Sequence, residues 1–355
     1  MARSRFRKTA VRGVVAAVPG QARPVQALPS VISEEEIQKV IKVSGVKERR
    51  IAAPGTTTAD LSKRAAEALL SELGWERSSI DALIFVTQTP DHLLPASACI
   101  LQDGLGLSRG CAAFDVNLGC SGYTYGLWLA STMIDSGACQ RVLLLAGDTI
   151  SKIISPEDRS TAFLFGDAGT ATALERSDAP GAESHFVLGS DGSGASQLIV
   201  PGSGARGACL QDRGRKLQPD GNTRGADDLY MNGSEIFNFT IGSVPSLAAE
   251  VLEWAGQRAE EVDFAVFHQA NEFMIKHLAK KTKIPLDRVP LSLGQYGNTS
   301  SASIPVTLAS RMAEPLKSGS HRLLLLGFGV GYSWAGAHLF LGPLSSCRVL
   351  ECPDL

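Results

Sequence analysis

The chain has 355 residues, 44% hydrophobic and 20% charged, with a formal net charge of -2. That is about two domains' worth of residues with ample apolar material for cores, which excludes wholesale disorder. A balance of 34 basic against 36 acidic residues leaves no global electrostatic footprint for nucleic acid or a membrane surface.

At the N-terminus Arg3, Arg5, Arg7 and Lys8 precede an apolar stretch. Arg12 interrupts it, and the remaining run 13–18 is shorter than the apolar core of a secretory signal, so it reads as the first β-strand. Short apolar runs then alternate with longer helical stretches. Strands are expected at 82–86, 142–146, 264–267 and 323–326, and helices at 59–73, 121–135, 246–255 and 304–313. This alternation predicts an α/β fold. No apolar run approaches the roughly 18 residues of a membrane span. Seven cysteines without a CxxC pair argue against a disulfide scaffold or zinc module and suit a reducing cytoplasm.

The two halves of the sequence resemble each other. Ser79-Ile80-Asp81-Ala82-Leu83-Ile84-Phe85 matches Glu261-Val262-Asp263-Phe264-Ala265-Val266-Phe267, Gly119-Cys120-Ser121 matches Gly297-Asn298-Thr299, and Arg141-Val142-Leu143 matches Arg322-Leu323-Leu324. All three pairs lie about 180 residues apart, which predicts a duplicated α/β unit. The joint is expected within 175–183, at the turn Asp178-Ala179-Pro180-Gly181, dividing the chain into 1–180 and 181–355. A stretch rich in Gly, Ser and Arg, 191–228, reads as an exposed, irregular excursion inside the second half.

Cys120 lies where a strand ends, between Gly119 and Gly122, just before a helix that is apolar nearly all round. The start of a buried helix offers free N–H groups and the positive end of the dipole, so a thiol there is expected to favour the thiolate, the nucleophilic form. Cys99, Cys111 and Cys139 read as inert core residues. His268 ends the strand 264–267, and Asn298 takes the helix-start position that Cys120 holds in the first half. Taken singly, His268 reads as a structural residue and Asn298 as an N-cap. A pseudo-two-fold brings all three together. Gly327-Phe328-Gly329-Val330-Gly331 mimics a dinucleotide loop, but its third glycine would fall on Tyr332 or Trp334 and no acidic residue follows at the required distance, so no nicotinamide site is expected.

At these residues the sequence resembles the type III β-ketoacyl-acyl-carrier-protein synthases of the thiolase superfamily. The stretches that carry the likeness are Gly45-Val46-Lys47-Glu48-Arg49-Arg50, 113–122, Phe165-Gly166-Asp167-Ala168-Gly169, 266–271, 296–305 and 327–334. The resemblance implies a thiolase-like duplicated five-layer αβαβα fold, a cytoplasmic homodimer and a catalytic Cys120, His268 and Asn298. It further implies an oxyanion site from the backbone N–H groups of Cys120 and Val330, and coenzyme A or pantetheine contacts at Arg159, Gly233 and Asn271. Acyl-coenzyme A or an acyl-carrier protein would be the partner, with no metal or other cofactor.

Four departures from the family pattern stand out. Lys39 replaces an adenine-stacking Trp, Phe273 replaces a carrier-docking Arg, and Leu94 replaces the aromatic residue that closes the partner's acyl pocket. The excursion is also longer. Lys276, Lys280, Lys281 and Lys283 follow His268 on an expected helix, where a basic face would suit an acidic carrier protein. The implied reaction is decarboxylating condensation of a Cys-bound acyl group with a malonyl thioester. A non-decarboxylating acyltransferase remains open. Papain-like peptidases use a similar Cys-to-His interval, roughly 130–150 residues, but their local signature is missing here. A non-catalytic partner subunit is the remaining alternative.

Overall fold

The computed structural model describes residues 1–27, 33–179 and 183–355. The joint expected at the turn 178–181 falls partly on residues 180–182, outside the described residues. Two sheets carry the fold. In spatial order the first runs Ser346–Cys352, Thr9–Pro19, Ala168–Arg176, Arg141–Asp148, Ala82–Val86 and Ala112–Val116. The second runs Ala2–Phe6, Ser184–Ser190, Ser333–Leu341, His321–Gly329 and Phe264–Phe267. Ala82 pairs in parallel with Val142, and Phe264 with Leu323, so the matched sequences occupy matched places. Every residue of Ala82–Val86 is buried, as expected of a strand covered on both faces.

Helices Thr58–Leu73 and Ser97–Gly104 cover the outer face of the first sheet through a core that includes Leu61, Leu69, Phe85 and Leu145. Gly233–Ala255 and Glu272–Thr282 cover the second through Leu247, Val251, Phe267 and Ile275. Between the sheets lie Gly122–Asp135 and Ser303–Arg311, packed with Val86, Leu144, Val266 and Leu325. Helix, sheet, helix, sheet, helix gives five layers. The middle helix is apolar on most of its circumference because both its faces meet a sheet.

Three expected elements differ. The run 13–18 is the later part of a second strand, Thr9–Pro19; the first is Ala2–Phe6. Arg3 and Arg5 obscured it, yet exposed charges are normal on a sheet edge, and Phe6 supplies the buried anchor. The helix expected at 246–255 begins far earlier, at Gly233, where the Asn232 side chain accepts the Glu235 N–H; Pro245 lies inside it. The helix 304–313 is cut at Met312, and a separate turn, Ala313–Ser318, follows.

The chain ends are exchanged between the sheets. Ala2–Phe6 pairs with Ser184–Ser190 in the second sheet, and Ser346–Cys352 pairs with Thr9–Pro19 in the first. Phe6 is buried edge-to-face on Phe186 at 5.6 Å. Phe6→Ala should destabilise the whole protein by about 3–5 kcal/mol in urea unfolding; a loss under about 1 kcal/mol would mean the exchanged strand is not part of the cooperative fold.

Candidate active site

Cys120 sits in the turn between Ala112–Val116 and Gly122–Asp135 and is 8% exposed. The backbone of Gly327 and Gly329 crosses directly over it. A Cβ on Gly329 would lie 2.7 Å from the sulfur, and one on Gly327 would lie 3.0 Å from the Cys120 carbonyl oxygen. These glycines therefore serve close approach to the turn rather than a dinucleotide. Val330, the next residue, lines the same cavity as Cys120, and its backbone N–H and that of Cys120 act to lower the thiol pKa.

The thiol is not an anion at rest. Burial pushes its pKa up to about 11, against the lowering effect of those N–H groups, and the Asp148 charge adds to the rise. The helix start expected to favour the thiolate is overcome by loss of water. Cys111 and Cys139 are buried as expected, whereas Cys99 is exposed.

His268 follows Phe264–Phe267 and continues its ladder, its N–H donating to the Leu326 carbonyl at 2.8 Å. Its Nδ1 lies 2.7 Å from Ser303 Oγ, and its ring meets Phe328 edge-on at 5.6 Å. Burial drives its pKa down to about 3, so the ring is neutral. Asn298 is not the N-cap of a long helix. Its backbone bridges to Phe165, and a short 3-10 turn, Ser300–Ala302, separates it from Ser303–Arg311. Its side-chain oxygen accepts the Ser300 N–H at 2.9 Å, which leaves the amide NH2 as the free donor.

Ser300 follows at the cavity wall. Its φ is 51°, in the left-handed region, and it lines the same cavity as Cys120, while its neighbour Ser301 donates its N–H and hydroxyl to the Asp148 carboxylate. Sequence reasoning missed Ser300, Ser303 and Asp148. The small polar run 298–303 was the only local signal, and it reads equally well as a loop.

Cys120, Ser300 and Val330 open on a cavity of about 300 Å³. Its apolar wall includes Ile150, Ile153, Phe165, Leu198, Val200 and Leu229. Three of those come from the excursion or its exit, so the stretch is not merely exposed. Leu198–Ile199 pairs with Tyr230–Met231, closing the excursion at its base. Arg224 and Asp158 form a buried ion pair at 3.0 Å, and Arg215 pairs with Asp228 at 2.8 Å. Leu94 is 83% exposed and is not among the residues lining this cavity.

A second, more open pocket of about 420 Å³ is lined by Lys39, Val40, Val43, Arg159, Phe163 and Asn271, among others. Arg159 donates from its backbone N–H and from Nε to Asn222 Oδ1, so the excursion holds it in place. Asn271 also caps Glu272–Thr282 by accepting the Met274 N–H at 2.7 Å. Gly233 is exposed at the start of its helix, two residues from the pocket-lining Met231. The four lysines are exposed, but Lys276 pairs with Glu272 at 2.5 Å and Lys283 lies beyond the helix at φ 59°. Lys280 and Lys281 alone keep the expected helical setting without a paired carboxylate. Phe273, 56% exposed, stacks on Phe237. Among the described residues no group of three His, Cys, Asp or Glu is placed to hold a metal, and no helix is long and apolar enough to cross a membrane.

Two histidines carry a consequence for pH. Burial holds His268 at about 3 and His338 at about 4, while an unfolded chain protonates histidine below about 6.5. The unfolded state then binds more protons, so the stabilisation present above that pH is lost as pH falls toward the folded values. Urea midpoints should decline from about pH 6.5 to about pH 4.5, and His338→Phe should flatten part of that slope. A wild-type midpoint that stays level across the interval would contradict the buried, neutral histidines.

Residues 114–192 match the family described as 3-oxoacyl-(acyl-carrier-protein) synthase III, and residues 252–340 match its C-terminal region. The chain is 37% identical over 316 residues to a β-ketoacyl-(acyl-carrier-protein) synthase III of Roseiflexus castenholzii, covering 86% of this chain and 93% of the relative. It is 38% identical over 296 residues to β-ketoacyl-(acyl-carrier-protein) synthase III 2 of Streptomyces coelicolor, covering 83% and 82%. A crystal structure of a 3-oxoacyl-(acyl-carrier-protein) synthase from Burkholderia xenovorans superposes with a TM-score of 0.92 at 45% identity, over 99% of both chains. With this fold and these relatives, the chain belongs to the type III β-ketoacyl-acyl-carrier-protein synthases, an acyltransferase family of the thiolase superfamily.

Proposed function

We propose that this enzyme condenses an acyl group carried on Cys120 with malonyl-acyl-carrier protein, releasing carbon dioxide and a β-ketoacyl thioester. The observation that carries the assignment of roles is a buried Cys120 thiol facing the cavity beside Val330, with a neutral, buried His268 held by Ser303 and an Asn298 side chain whose oxygen is already taken by the Ser300 N–H. Cys120 attacks an acyl thioester, and the Val330 and Cys120 N–H groups hold the oxyanion. After the first thiol leaves, the malonyl thioester carbonyl is held by neutral His268 and the Asn298 amide. Both can donate without carrying charge, so they stabilise the enolate left by decarboxylation. Its carbon then attacks the acyl-cysteine. No step calls on a metal or redox group.

The open pocket at Arg159, Asn271 and Gly233 is the proposed path for a pantetheine arm from coenzyme A or a carrier protein. Ala112–Val116 is an unpaired edge strand, and Leu93, Leu94 and Ile100 are exposed large hydrophobics nearby in sequence. Such an edge suits pairing with a second copy, and this supports a homodimer in which Leu94 reaches the partner's cavity. We read the chain as two halves, 1–180 and 181–355, acting in the cytoplasm.

Incubation with a panel of acyl thioesters should add one acyl mass at the Cys120 peptide, and Cys120→Ala should abolish it. His268→Ala and Asn298→Ala should still acylate but lose malonyl decarboxylation by about 10²–10³. Equal loss of both half-reactions would refute this division of labour. A wild-type enzyme that acylates yet never consumes malonyl thioester would instead be a non-decarboxylating acyltransferase.

Carrier docking has its own test. Lys280→Glu with Lys281→Glu should raise the KM for a carrier-bound substrate on the order of tenfold and leave that for the coenzyme A ester nearly unchanged. Equal effects on both substrates would return these lysines to an ordinary solvated surface.

A further inference from the structure

Two buried hydroxyls beside Cys120 take no part in the condensing roles. Ser121 follows the nucleophile, Ser333 follows the turn 330–332, and both are almost wholly buried. Their oxygens lie 2.6 Å apart although the residues are 212 positions apart in sequence. Ser333 Oγ also donates to the Val330 carbonyl at 2.8 Å. A hydroxyl has one proton to give. Ser333 gives its proton to Val330, so Ser121 is the donor within the serine pair. The bonds therefore run in one direction, from Ser121 to Ser333 to Val330.

The backbone at Val330 needs such a tie. The turn 330–332 joins His321–Gly329 to Ser333–Leu341, with Gly329 opposite Ser333. Val330 stands between two glycines, the second at φ 134°, and glycine leaves the adjoining peptide units free to rotate. At the far end of the turn Tyr332 and Asp191 exchange backbone hydrogen bonds at 2.7 and 2.9 Å. At the near end the Ser333 hydroxyl holds the Val330 carbonyl. The Val330 side chain also presses on the nucleophile turn, since a Cβ on Gly119 would lie 2.9 Å from its Cγ1. The two N–H groups assigned to the oxyanion come from different sheets of the fold, Cys120 from the first and Val330 from the second. The serine pair joins the sheets at that point. An oxyanion site works only when both donors reach one place, about 2.7–3.1 Å from the developing charge.

We propose that Ser333, anchored by Ser121, is a positioning residue that holds the Val330 N–H over Cys120 in register with the Cys120 N–H. Ser333 is not among the residues lining the cavity, so it acts through Val330. The inference rests on the reading of Cys120 as the acyl carrier and Val330 as an oxyanion donor.

The test compares two reactions at one sulfur. Acylation by a thioester passes through an oxyanion, whereas iodoacetamide alkylation displaces iodide and builds none. Ser333→Ala should slow acylation on the order of tenfold, less than the roughly 10²–10³ for outright loss of a donor. The KM for the acyl thioester should hardly move, because the tie serves the transition state. Alkylation, followed at the Cys120 peptide because Cys99 and Cys209 are exposed, should stay within about twofold of wild type. Ser333→Thr keeps the hydroxyl and should bring acylation back to within about twofold. Ser121→Ala leaves the bond from Ser333 to Val330 in place and should slow acylation about three- to fivefold, which carries the comparison if Ser333→Ala does not fold. Alanine variants that acylate at the wild-type rate, equal slowing of acylation and alkylation, or a threonine variant as slow as alanine would each overturn the proposal. A wild-type Cys120 that takes no acyl group would overturn the reading beneath it as well, and that failure is told apart because it shows before any substitution is made.

Discussion

Everything at this site hangs on the burial of one carboxylate. Asp148 has no water to solvate it, and a buried carboxylate is tolerable only when donors surround it. Those donors come from two distant parts of the chain. Thr87, Gln88 and Thr89 reach it from the loop after Ala82–Val86, and Ser301 reaches it from the loop after Asn298. Satisfying Asp148 therefore clamps a loop of the first sheet to the segment that carries Asn298. Asp167 repeats the device, accepting from Ser151 and from the Ala52 N–H.

The same loss of water explains two opposite protonation outcomes. Desolvation disfavours whichever form is charged, so it holds Cys120 as a thiol and His268 as a neutral ring. For a decarboxylation that develops negative charge on oxygen, neutral donors are the useful state. For a nucleophile the neutral state is a handicap, and backbone N–H groups at the sulfur offset only part of it. One dry cavity thus serves the second half-reaction directly and makes demands on the first.

The cavity wall is built by a different part of the fold. The excursion supplies Leu198, Val200 and Ser203 to the cavity, with Leu229 just beyond it. Paired arginines and aspartates hold it in place of an apolar core. Near its tip Asn222 positions Arg159, so one stretch touches both the cavity at Cys120 and the outer pocket.

Local pattern was enough to identify Ala82–Val86, Arg141–Asp148, Phe264–Phe267 and His321–Gly329, because buried parallel strands are continuously apolar, but not the central Ala168–Arg176 or Ser333–Leu341. It was also enough to single out Cys120, since a cysteine framed by glycines before an all-round apolar helix is a rare local event. His268 and Asn298 followed from the internal likeness of the halves. The Arg-rich Ala2–Phe6 and the first half of Gly233–Ala255 escaped notice because tertiary packing overrides weak local preference. Ser300 was invisible for a related reason: its place on the cavity wall beside Cys120 is set by the fold, which no spacing encodes. The protonation of Cys120 belonged to the tertiary structure alone. The helix start that favours a thiolate can be read from neighbours in sequence, but the burial that defeats it comes from residues as distant as Gly329 and Val330.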